Sequence, residues 1–160
     1  MREKIISLVV VLSAFLSAPA AMAAEDAAPY GTAKVDMHTK MQGVNTVFDV
    51  NLKNPEKLSA VYAVAKNVLN ETHANVIFVF HGKEQTAFAN KNQEQYSDIM
   101  KKMAELKREG VDFKFCNNAM KGNGLVPADM NGLVTVVPAG YPELAYWQTQ
   151  GYKYLYLSAE

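Results

Sequence analysis

The sequence predicts a single three-layer α/β/α domain built on a five-stranded, mainly parallel sheet. Three observations carry this. From Asn45 onward, short strand-like apolar runs alternate with segments of helical period. Such alternation implies parallel strands joined by helical crossovers, with helices on both faces. One run, "NVIFVF" at 75–80, is apolar throughout, as a strand buried on both sides of a parallel sheet requires. Each helical segment also has its own stop or start signal: Asn54-Pro55 before the first, Gly110 after the second and Gly151 after the last.

The first strand is "NTVFDVNL", 45–52. Asn54 then caps a helix with Pro55 at its first position, and Leu58, Val61, Tyr62, Ala65, Val68 and Leu69 fall on one helical face. "NVIFVF" is the second strand. The next helix is expected from about Asn92 to Glu109, with Tyr96, Ile99, Met100, Met103 and Leu106 inward. "VDFKF" (111–115) is the third strand, "LVTVVP" (133–138) the fourth and "YKYLYL" (152–157) the fifth, with a short helix over 142–150 between the last two. Tyr152, Tyr154 and Tyr156 alternate onto one face of the fifth strand, which is core if a helix covers it and a subunit contact if it is left open. The strand order does not follow from these patterns.

Ahead of the domain, residues 1–23 read as a cleaved signal peptide. Arg2 and Lys4 precede an apolar stretch from Ile5 to Ala18, and Ala21-Met22-Ala23 supplies the small-residue cleavage pattern. The stretch is too short, and too interrupted by Ser7, Ser13 and Ser17, for a spanning helix, which needs about 20 residues. Export to the periplasm and cleavage after Ala23 are expected. Residues 24–43 lack a sustained period and read as a flexible N-terminal arm, leaving 44–160 as the folded domain.

The chain carries 16 basic and 16 acidic residues in 160. That balance gives no electrostatic case for nucleic acid, nor for a membrane surface once the leader is gone. Cys116 is the single cysteine, so no intramolecular disulfide can form and stability must come from packing. No phosphate-binding glycine loop follows a strand, and no His/Cys/carboxylate set has metal spacing, so neither a cofactor nor a metal is expected. Hydrolase constellations are absent as well.

In open α/β sheets, chemistry gathers beyond the carboxyl ends of the strands. Two candidates lie there. His81 follows the second strand and can carry a proton. Cys116 follows the third on the same rim; if 117–121 begin a helix or turn, backbone N–H groups point at the sulfur and favour thiolate. Lys121, about one turn on, adds a full charge, and Asn117 and Asn118 can donate hydrogen bonds or shape the turn. The competing reading of Cys116 is a buried strand-end residue with a structural role. His73 reads as a surface residue on the opposite rim.

The segments "DVNLKNPEKL", "IFVFHGKE", "GVDFKFCNNAMKGNGLVPADM" and "VTVVPAGYPELAYWQTQGYKYL" resemble, in this order, the DsrE/DsrF-like family, also called YchN-like, over roughly residues 43–157. The most specific part is Cys116, Asn118, Met120 and Lys121, followed by Gly124 to Asp129. The resemblance implies an α/β sandwich assembling into trimers or hexamers, and a strand-end cysteine, by motif Cys116, that carries sulfane sulfur as a persulfide. Well-characterised members of that family act in the cytoplasm with dedicated partners, which an exported chain does not meet. The expected function is therefore a periplasmic sulfur carrier or sulfurtransferase-like protein whose small sulfur donor and thiol acceptor are unnamed. The alternative is a non-catalytic oligomeric binding or scaffold protein with a structural Cys116.

Overall fold

In a computed structural model, five parallel strands form one sheet in the order β4-β3-β2-β1-β5. The structure describes Ala33, Val35 and residues 41–158; the leader and most of the expected arm lie outside the described residues. The strands are β1 (Thr46–Val50), β2 (Val76–Phe80), β3 (Asp112–Cys116), β4 (Thr135–Val137) and β5 (Lys153–Leu157). The helices are α1 (Leu58–Thr72), α2 (Ser97–Arg108), α3 (Asn117–Gly122) and α4 (Gly140–Thr149).

The two faces of the sheet are covered unequally. Phe48, Phe78, Phe80, Phe113 and Phe115 project to one side and pack with Leu58, Val61 and Ala65 of α1 and Met100, Met103 and Leu106 of α2 into the main core. Stacked and tilted ring contacts run through it, from Phe48–Phe78 at 4.7 Å to Phe80–Phe115 at 5.0 Å. On the other side Val47, Ile77 and Val79 meet Leu144 of α4, with Trp147 and Tyr152 at the edge. α4 is the helix of that second layer, and it connects β4 at one edge of the sheet to β5 at the other.

Local signals explain the starts. Asn54 accepts the Glu56 N–H at 2.9 Å and Pro55 opens a single 3-10 turn that runs into α1. His73 closes α1 in the left-handed region at φ 48 and is exposed. The second helix begins later than its periodicity suggested. Residues from Lys83 to Asn92 form two 3-10 turns instead, because Glu84 and Gln85 are drawn into the interior and Asn92 Nδ2 donates to the Thr86 carbonyl at 2.8 Å. Pairing of β1 with β2 and β5 is in strict register, Asp49 lying opposite Val79 and Tyr156. Among the described residues no helix is long and apolar enough to cross a membrane.

Candidate functional site

Cys116 ends β3 and serves as the N-cap of α3, with its Sγ accepting the Ala119 N–H at 3.4 Å. A thiol in the place usually held by Ser or Asp follows from the sequence switching there from β-alternation to Asn-Asn-Ala-Met. The residue is 7 % exposed, while its carbonyl accepts from Gln85 Nε2 at 3.3 Å. Gln85 is fully buried, also donates to the Phe80 carbonyl at 2.9 Å, and accepts from Asn123 Nδ2 at 3.4 Å. The ends of β2, β3 and α3 are thereby tied around one amide.

His81 leaves β2 on the same rim. Its Nε2 pairs with Asp49 Oδ1, and the second oxygen of Asp49 accepts the Tyr154 hydroxyl at 2.8 Å. The side chains of His81 and Asp49 are only 10 % and 6 % exposed. A carboxylate in such a place is tolerable because both oxygens are hydrogen-bonded. The donated bond holds the Tyr154 phenol in its neutral form, pushed up to about 12.

A cleft of about 270 Å³ opens between these elements, lined by His81, Cys116, Asn118, Ala119, Gly140 and Tyr141. The Tyr141 ring lies 5.2 Å from the imidazole. Gly140 begins α4 close against the site: a Cβ there would sit 3.4 Å from the Cys116 Cβ and 3.7 Å from that of His81. Under the rim, Glu84 is fully buried and its carboxylate accepts from the N–H groups of Leu52 and Gly82 at 2.8 and 2.7 Å. Burial pushes this carboxyl up, against the downward pull of those N–H groups. Gly82 has no room for a side chain, since a Cβ would come within 2.6 Å of the Leu52 backbone.

The structure brings Cys116, His81 and Asn118 to one cleft. Lys121 is exposed in the last turn of α3 and does not line it. Asn117 is outside the lining too; its Oδ1 is buried and has no hydrogen-bond partner among the described residues. Sequence reasoning missed Asp49, Tyr154, Tyr141 and Gln85. A carboxylate between Phe48 and Val50 in a buried strand was the one available signal. Glu143, in the first turn of α4, accepts the Trp147 indole N–H at 2.8 Å.

The sequence model of the DsrE/DsrF-like family matches residues 28–157. The chain belongs to the DsrE/DsrF-like family. The match begins ahead of the expected domain start at 44 and takes in residues of the expected arm. Among solved structures, protein MTH1491 of Methanobacterium thermoautotrophicum, described as of unknown function, is 20 % identical with a TM-score of 0.61, over 71 % of this chain and 99 % of its own. Protein BT1422 of Bacteroides thetaiotaomicron, also of unknown function, is 18 % identical with a TM-score of 0.49, over 71 % and 95 %. The ychN protein of E. coli is 17 % identical with a TM-score of 0.46, over 72 % and 100 %. The archaeal protein supports the α/β fold of this DsrE-like chain. Among curated proteins there is no significant match.

Proposed function

We propose that this DsrE-like protein is an exported sulfur carrier that holds sulfane sulfur as a persulfide on Cys116. The observation that carries the reading is the meeting of the chain's single thiol with His81 across one small cleft at the strand ends. In this reading the Cys116 thiolate attacks a small sulfane donor, keeps the outer sulfur and yields it to the thiol of an acceptor. One cysteine suffices, because the acceptor brings the second thiol. His81 moves the proton, Asn118 offers polar groups in the cleft beside the sulfur, and Lys121 acts only through its charge. The carrier works in the periplasm after cleavage behind Ala23, as a trimer or hexamer. The exposed side chains of β5, Leu155 at 47 % and Tyr156 at 58 %, support self-association.

Incubation with thiosulfate or polysulfide adds about 32 Da (one sulfur atom) to the native protein, removable by dithiothreitol. Cys116→Ser abolishes the adduct and keeps the fold. An unmodified wild-type protein overturns the reading. The second reading is an oligomeric binding protein with a structural thiol, which the low exposure of Cys116 favours. Native thiol labelling separates the two: reaction without unfolding belongs to the carrier, reaction only after unfolding to the scaffold.

A further inference from the structure

Tyr154, Asp49, His81 and Cys116 stand in that order across four neighbouring strand positions, β5, β1, β2 and β3. All four belong to the sheet face that α4 covers, because the parallel register and the two-residue side-chain period place them there. The first three are joined by hydrogen bonds, tyrosine hydroxyl to Asp49 and Asp49 to the imidazole. The fourth shares the cleft with that imidazole.

We propose that Asp49 and Tyr154 are positioning residues that hold His81 as the proton acceptor and donor for Cys116. This rests on the sulfur-carrier reading for its substrate, but not for its geometry. A carboxylate accepts from His81 Nε2, so the neutral ring carries its proton there and leaves Nδ1 as the base. The Tyr154 hydroxyl occupies the other oxygen and fixes the rotation of the carboxylate. No direct bond joins the ring to Sγ, and the cleft gives room for the donor's sulfur atoms or a bridging water between them.

With an organic hydropersulfide, R–S–SH, the step balances without an oxidant. The Cys116 proton passes to Nδ1, and Sγ forms a bond to the donor's outer sulfur. The donor's S–S bond breaks, and its electron pair leaves on the inner sulfur, which takes the proton back from His81. Cys116–S–SH and R–SH result. Reversal of the same proton movement releases the sulfur to an acceptor thiol.

The test uses the full mature protein and iodoacetamide, whose reaction with the thiol does not depend on sulfur chemistry. His81→Ala slows alkylation at neutral pH roughly a hundredfold and added imidazole restores part of it; Asp49→Asn slows it about tenfold and Tyr154→Phe about threefold. Ring nitrogen NMR reports Nε2 as the protonated atom in the wild type and a mixture of tautomers in Asp49→Asn. Should Asp49→Asn fail to fold, Tyr154→Phe and the wild-type spectrum still decide. Equal alkylation rates in the folded variants, or a wild-type ring protonated at Nδ1 alone, overturn the relay. If the variants slow as stated while no 32 Da adduct forms on the wild type, the relay stands and the sulfur-carrier reading falls. If the adduct forms equally fast in all of them, the relay falls and the carrier stands.

Discussion

Gln85 Nε2 donates to the carbonyl of Cys116 at 3.3 Å from a side chain with no solvent exposure. The same amide group donates to Phe80, so the two strands that deliver His81 and Cys116 end on one buried residue. The position of the thiol thus depends on a 3-10 turn that belongs to neither strand.

Replacing Gln85 by Leu leaves the Phe80 and Cys116 carbonyls without this donor and removes an acceptor of Asn123. The expected cost is about 1–3 kcal/mol, read from chemical unfolding. Alkylation of Cys116 in the folded variant changes as well, because its carbonyl is no longer held.

Two glycines near the site respond in opposite ways. Gly82→Ala drives a methyl group to 2.6 Å from the Leu52 backbone and costs about 1–3 kcal/mol or more. Gly140→Ala meets only ordinary contacts, the closest at 3.4 Å, and stabilises by about 0.4–1 kcal/mol through the unfolded chain. Its methyl group lies between Cys116 and His81, so bulky thiol reagents react more slowly with it than with the wild type. Thermal unfolding and labelling rates check both arms.

Asp112 lies between Lys107 and Lys114 at 2.8 and 2.7 Å. Burial raises its carboxyl, but the two ammonium groups outweigh that and hold it below its ordinary 3.8. A lowered carboxyl stabilises the fold above its unfolded value and loses that contribution as pH falls through the folded one. Asp112→Asn therefore costs up to about 1 kcal/mol at neutral pH, since the cluster is partly open to solvent. The difference from wild type closes as pH falls below 3.8, which urea titrations across the acid range will show.

Leu155→Glu places a charge on the exposed edge strand, where the native side chain is 47 % exposed. The isolated fold tolerates it within about 0.5 kcal/mol. If β5 joins subunits, light scattering reports a monomer for the variant and a larger species for the wild type; a wild-type monomer at micromolar concentration removes the assembly.

The regular elements were legible because their periods are local. Val76 to Phe80 is apolar throughout, and residues 58, 61 and 65 repeat at helical spacing. Cys116 and His81 were legible as strand-end residues, since parallel strands bring their carboxyl ends to one rim. Asp49 was not. Its meaning depends on β1 lying between β2 and β5, and its hydroxyl partner is 105 residues away. The start of α2 was misplaced because Asn92 to Tyr96 continue a helical pattern. What overrides the pattern is the burial of Glu84 and Gln85 upstream, which no local period records.

The crossing of α4 from one sheet edge to the other also sets an order of events. Of the described elements β1 is the first to leave the ribosome, yet its second neighbour, β5, is the last. Until residue 157 has been made, β1 presents an open edge and Asp49 lacks the tyrosine that completes it. A chain interrupted before β5, however well its aromatic core has formed, therefore leaves the carboxylate that holds its histidine free to rotate. Only a chain extended through β5 holds the whole row from tyrosine to thiol.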